Sequence, residues 1–239
     1  MEILDEKQRK VLERKEDIDI CYEIEGKIRC RGCIYRQIRG GLDATFRLIP
    51  YNVPTCEELG LPEIINNFVE LRRGLVLITG PAGSGKTTTL AVIIEEINKK
   101  HNYNIITIED PIEYVFSNKK SIIHQREVEK HTSSFEDALS AAMREDPDVI
   151  VIGELRDMKT VSMALKSAEA GYLVFGTLHT KDAPSTISRI IDVFPPEEQG
   201  QVRTVLSEAL KGILSQMLVP RIDREGMALA CEILVSTSA

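Results

Sequence analysis

Residues 74–90 read GLVLITGPAGSGKTTTL, and this stretch decides the fold. Leu75 to Ile78 is an apolar run, too short for a helix and bounded by glycine, so it reads as a buried strand. Gly80 to Thr87 fit G-x-x-x-x-G-K-[ST] at every position. Behind the loop, Leu90, Ile93, Ile94 and Ile97 recur at helical spacing and give a one-faced helix. Strand, glycine loop and helix in that order make a cradle for phosphate. Glycines let successive backbone N–H groups curl around an anion, and the helix turns its positive end to the same point. The expected nucleotide contacts are Gly80, Pro81, Ala82, Gly83, Ser84, Gly85, Lys86, Thr87 and Thr88. Lys86 supplies a point charge at the β- and γ-phosphates, and the Thr87 hydroxyl can ligate Mg²⁺. The ligands this implies are ATP and Mg²⁺.

Outward from the loop, strands and helices alternate. Asn104 to Ile108, Val149 to Ile152 and Leu173 to Phe175 read as strands. Ser134 followed by Asp137 caps a helix ending near Arg144, and Val161, Leu165 and Ala168 mark another, closed by Gly171. Pro195-Pro196 opens a predicted long helix carrying Val202, Leu206, Leu210, Ile213 and Met217, and Leu229 to Val235 is a last strand. This rhythm predicts an α/β fold, a parallel sheet covered by helices on both faces. The first 50 residues differ. A short exposed helix over 1–16 precedes period-two runs between Ile18 and Ile49, with a turn at Glu25-Gly26, so a small antiparallel sheet is expected. Pro50 and Pro54 mark a linker.

With 239 residues, 43% hydrophobic and 28% charged, the chain has the composition of one to two globular domains. Thirty basic against 37 acidic residues leave a net charge of −7, which disfavours a surface that coats nucleic acid or anionic lipid. No apolar run approaches the ~20 residues of a membrane span, and no signal-peptide core follows Met1. Five cysteines, an odd number, suggest free thiols in a reducing cytoplasm. Cys30 and Cys33 form C-x-x-C, but on a strand they face opposite sides and have no second pair, so they are not expected to hold zinc.

Hydrolysis requires carboxylates near the loop. The strand Val149 to Ile152 runs into Gly153-Glu154, where an acid can hold Mg²⁺ through water or, alternatively, cap the next helix. A second group, Glu109-Asp110-Pro111-Ile112-Glu113, follows the strand ending at Ile108. There Glu113 can reach an attacking water, or the group can be a solvated acidic loop.

These motifs in this order resemble the type II/IV secretion ATPase superfamily, and within it the twitching-motility pilus retraction ATPases. The resemblance covers essentially the whole chain. It rests on Arg39-Gly40, FRLIP at 46–50, the loop segment at 74–90, TIEDPIEY at 107–114 and QREV at 125–128. REDPDVIVIGELRD at 144–157, GYLVFGTLHT at 171–180 and RIIDVFPPEEQ at 189–199 complete it. It implies a two-domain subunit: a PAS-like α+β domain over 1–55, incomplete at its start, and a RecA-like phosphate-loop ATPase domain over 56–239, truncated at its end before an AIRNLIRE motif. It further implies that Glu113 is the general base, Glu154 holds the Mg²⁺ shell and His179 senses the γ-phosphate. Arg29, Arg31, Arg39 and Arg47 match the arginines that the first domain offers to a neighbour's nucleotide, although a solvated strand face would carry the same charges. Tyr172 stands where the family has the first histidine of its His box.

The implied activity is MgATP hydrolysis by a homo-hexamer that powers pilus retraction. It would act in the cytoplasm, peripherally at the inner face of the cytoplasmic membrane, against an inner-membrane platform protein at the pilus base. No nucleic-acid partner and no membrane span are expected. The alternatives are a pilus-extension or type II secretion ATPase, an accessory retraction paralogue, and a nucleotide-gated scaffold with little turnover. By the resemblance, extension motors carry a tetracysteine zinc site late in the ATPase domain, and the lack of such a tetrad here speaks against the pilus-extension and type II secretion readings. A nucleic-acid motor is disfavoured by the acidic balance.

Overall fold

The structure, a computed structural model, describes residues 4–14, 17–24, 28–38 and 41–237. The expected turn at Glu25-Gly26 and the Arg39-Gly40 pair lie outside the described residues. The chain divides into two compact units, Met1–Asn52 and Val53–Ala239.

In the first unit, helix α1 (Glu6–Glu13) is followed by strands β1 (Ile18–Ile24), β2 (Ile28–Arg36) and β3 (Leu42–Ile49) in an antiparallel sheet of order β1-β2-β3. Asp5 starts α1 with a capping box shared with Gln8. Side-chain alternation along β2 sends Cys30, Gly32 and Ile34 inward, where Ile34 joins Ile18, Ile20 and the α1 anchors Leu4 and Leu12 in a small core. Arg29, Arg31 and Cys33 take the other face, so Cys30 and Cys33 do diverge.

The second unit opens with two short helices absent from the sequence reading, α2 (Cys56–Leu59) and α3 (Ile65–Val69). Next come β4 (Gly74–Thr79), α4 (Lys86–Lys100), β5 (Asn104–Glu109), β6 (Ile122–Glu127), α5 (Phe135–Ala142) and β7 (Val149–Ile152). They are followed by α6 (Met158–Glu169), β8 (Leu173–Leu178), α7 (Ala183–Asp192), α8 (Gln199–Ala209), β9 (Leu210–Pro220) and β10 (Met227–Val235). The seven-stranded sheet has the order β10-β9-β4-β8-β7-β5-β6 and is parallel except for the antiparallel β9–β10 pair. Every residue of β4, β7 and β8 is buried, as a sheet covered on both faces requires. Leu75 and Leu77 pack with α5 to α8 on one side, while Val76 and Ile78 pack with α3 and α4 on the other. Among the described residues no helix is long and apolar enough to cross a membrane.

The long helix expected from Pro195 is corrected. Helix α8 ends at Ala209, and the chain continues as β9, parallel to β4 on one edge and antiparallel to β10 on the other. Leu210, Ile213 and Met217 fall at helical spacing by coincidence. Ile213 and Leu214 are both fully buried, one on each sheet face, whereas Met217 is half exposed. Gly212 suits the strand, because a Cβ there would stand 2.4 Å from the ring of buried Phe68 on α3.

Candidate functional site

The start of α4 differs from those of α5, α6 and α7. Ser134, Asp157 and Asp182 cap α5, α6 and α7 by accepting a backbone N–H. Helix α4 instead begins at Gly85, with φ +87° and no side-chain cap. Its first N–H groups, with the positive end of the helix dipole, are thereby left to an external anion. Gly80, at φ +148°, admits no side chain: a Cβ would lie 2.2 Å from the Gln216 carbonyl oxygen and 2.6 Å from Ser84 Oγ. Lys86, 8% exposed, folds back along the loop and donates to the Gly80 carbonyl at 2.9 Å and the Pro81 carbonyl at 3.0 Å. Burial lowers its pKa, and the nearby Glu154 carboxylate opposes that shift.

Lys86 Nζ also lies 3.3 Å from His179 Nδ1. An ammonium can only donate, so the hydrogen-bond network assigns Nδ1 as acceptor and puts the imidazole proton on Nε2. Nε2 is 3.2 Å from Glu154 Oε1. The other carboxylate oxygen, Oε2, accepts from Arg156 Nε at 2.7 Å, and Arg156 reaches Asp110 at 3.6 Å. The ends of β4, β8, β7 and β5 are thus joined by one polar string, Lys86–His179–Glu154–Arg156–Asp110. Glu154 does not cap α6; Asp157 does, accepting from Thr160 N at 2.8 Å.

A second string holds the acidic turn after β5. Ile112 N donates to the buried Glu127 carboxylate at 3.2 Å, and Tyr114 OH donates to Thr88 Oγ1 at 3.2 Å. Glu113, half-buried, sits in sequence between these two anchored residues, of which Tyr114 reaches the first turn of α4. Gln125 on β6 spends its whole amide here: Nε2 donates to Glu109 Oε1 at 3.1 Å and to the Tyr114 carbonyl at 2.8 Å, while Oε1 accepts from Phe116 N at 2.9 Å. Thr87, half-buried, occupies the second position of α4. Tyr172 stands apart. It precedes β8 at the strand's far end, where its carbonyl accepts from Gly74 N and its hydroxyl lies 3.5 Å from the Met143 carbonyl.

Arg29, Arg31 and Arg47 belong to the first unit. Arg31 and Arg47 are cross-strand partners, Arg31 lies 3.6 Å from Asp19, and Arg29 lies 3.8 Å from Glu23. Arg39 is outside the described residues. Among the described residues no group of three or more His, Cys, Asp or Glu side chains could hold a metal ion. Sequence reasoning missed Tyr114, Gln125, Arg156 and Gln216 as site residues. The first three stand in the quoted motifs TIEDPIEY, QREV and GELRD, whereas Gln216 lay within the supposed long helix.

The family described as Type II/IV secretion system protein matches residues 49–234. The type IV pilus retraction ATPase PilT of Pseudomonas aeruginosa is 48% identical over 238 residues, which are 100% of this chain and 69% of that protein. A twitching motility protein of Neisseria gonorrhoeae is 47% identical over 237 residues, 99% of this chain and 63% of its own length. A crystal structure of the pilus retraction motor PilT with bound ADP superposes with a TM-score of 0.95 at 50% identity, covering 100% of this chain and 69% of that one. The chain therefore spans about two thirds of the length of these relatives. They bear out the resemblance read from the motifs.

Proposed function

The chain belongs to the type II/IV secretion system protein family, and from that premise we propose that it is an ATPase subunit of a motor that powers type IV pilus retraction. The observation that carries this reading is the uncapped start of α4, with Lys86 inside the loop and the Glu154–His179 pair beside it. ATP lays its phosphates against the backbone N–H groups from Gly83 to Thr88, and Lys86 adds its charge. Glu113 takes a proton from the attacking water as the water oxygen bonds to the γ-phosphorus. The bond from that phosphorus to the β-bridging oxygen breaks, leaving ADP and phosphate. Thr87 and, through water, Glu154 offer the hard oxygen donors that suit Mg²⁺ beside phosphates, and that ion neutralises developing charge on the phosphate oxygens. His179, fixed by Glu154, faces the γ-phosphate side of Lys86.

Arg29, Arg31, Arg39 and Arg47 serve a neighbour's nucleotide in a homo-hexameric ring. A guanidinium fork can bridge phosphate oxygens across such an interface. The first unit is then the PAS-like domain of the family and the second its RecA-like ATPase domain. The ring works in the cytoplasm at the inner face of the cytoplasmic membrane, against a platform protein at the pilus base. The test is phosphate release at rising protein concentration, with Arg31→Ala and Glu113→Gln subunits alone and mixed. Turnover per subunit should rise with concentration, and mixing should restore activity that neither variant shows alone. Concentration-independent turnover without rescue, in rings shown to exchange subunits, would refute the shared site.

A further inference from the structure

We infer that Gln216 on β9 is a positioning residue that sets the orientation of the Ser84–Gly85 peptide and thereby aims the Gly85 N–H at phosphate. The inference rests on the nucleotide reading of the loop. Gln216 is 3% exposed and meets the loop with both its side chain and its backbone. Its Nε2 donates to the Ser84 carbonyl at 2.7 Å. Its own carbonyl fills the space beside Gly80 Cα, and Nε2 would stand 3.4 Å from a Cβ on Gly85. A trans peptide points its C=O and N–H in opposite directions. With the Ser84 oxygen drawn down onto Gln216, the Gly85 N–H must point away from β9, to the open side of the loop.

That orientation needs a tether. Gly85 follows the peptide, and glycine crosses between backbone regions at little cost, so the plane is free to rotate if nothing holds it. Gln216 supplies the hold from a strand whose own place is secured by backbone pairing with β4, to which the contact of Ser215 Oγ with Thr79 Oγ1 at 2.9 Å only adds. The site also carries unspent capacity. Ser84 Oγ and Gln216 Oε1 are both buried without a hydrogen-bond partner. Two such groups on the pair of residues that this hydrogen bond joins are unusual in a segment kept only for packing.

The experiment measures ADP affinity by calorimetry for the parent, Gln216→Met, Gln216→Ala and Ser215→Ala, with ligand-free thermal midpoints alongside. Methionine keeps the unbranched bulk and removes the donor, so the fold survives even if the alanine variant does not. Gln216→Met should raise the ADP Kd roughly tenfold, the effect of losing one net hydrogen bond. Ser215→Ala, which disturbs the same strand without touching the loop, should lower the midpoint and leave the Kd within twofold. Gln216→Met binding ADP as the parent does would overturn the inference. So would an equal loss in Ser215→Ala, which would assign the effect to strand packing. A parent that binds no ADP at all would overturn the nucleotide reading, and this inference with it.

Discussion

Replacing Lys86 by methionine keeps a side chain of similar reach and removes one charge with its three donors. In the free protein that ammonium already satisfies the Gly80 and Pro81 carbonyls. Binding therefore gains only the exchange of a neutral acceptor for a charged phosphate oxygen. A hydrogen bond to a charged group contributes about 1.5–3 kcal/mol. The ADP Kd of Lys86→Met should accordingly rise roughly 10- to 150-fold, read by calorimetry at fixed salt. The pH dependence gives a second reading. Burial holds the Lys86 pKa below the 10.5 of an ordinary lysine. Phosphate favours the ammonium, so the parent's affinity should fall as pH rises through that lowered value, before an exposed lysine would titrate. The stability contribution has the opposite slope: between the lowered and ordinary values the unfolded chain binds more protons, so stability gains with pH. Lys86→Met should lose both effects. An affinity within threefold of the parent, or an alkaline decline that persists in the variant, would refute the placement of Lys86 at the phosphates.

Glu113→Gln should bind ADP nearly as the parent does while phosphate release falls by ~10²-fold or more, since only the proton acceptor is lost; release at the parent rate would move the base to another acid. Gly80→Ala forces a Cβ against the Gln216 backbone and should cost about 2–3 kcal/mol, roughly 5–10 °C in thermal midpoint, with loss of ADP binding. Gly83→Ala, with φ +76° but open space around it, should cost only the backbone strain of about 1 kcal/mol in a denaturant titration. Tyr172→His should leave ADP affinity unchanged in the same calorimetric assay, because position 172 lies at the opposite end of β8 from His179.

What was legible in the sequence followed local rules. The loop glycines, the apolar strand before them and the Ser134 cap each depend on neighbours a few residues away, and each formed where expected. The end of α8 was not local. Val202, Leu206 and Leu210 continue one helical stripe, and only pairing with β4 and β10 makes Leu210 to Pro220 a strand. Edge strand β6 was hidden by its polar residues His124, Gln125 and Arg126, which an outer strand tolerates. Glu113 and Glu154 were legible as acids at strand ends near the loop, whereas His179 came from the family resemblance alone, which left the effect of Tyr172 open. The direction of β8 answers that: a strand of six residues at about 3.3 Å each holds Tyr172 roughly 20 Å from the loop end, so its hydroxyl serves the helix-packed side.

The polar string also bears on how a nucleotide must act when it arrives. An ammonium has three N–H donors. Lys86 has three acceptors in the free protein: the Gly80 carbonyl, the Pro81 carbonyl and His179 Nδ1. A phosphate oxygen can therefore bond Lys86 only by displacing one of them. The carbonyls lie at 2.9 and 3.0 Å and are part of the loop itself, whereas His179 stands at 3.3 Å on a half-exposed side chain. The imidazole is the weakest and most movable of the three, so it is the partner that yields. Once released, its Nδ1, an acceptor, can meet phosphate oxygens only through a bridging water, while Nε2 stays on Glu154, whose other oxygen is held by Arg156 and, beyond it, Asp110 at the acidic turn. The contact that a phosphate displaces thus belongs to the string that runs through Glu154 and Arg156 to Asp110 at the acidic turn.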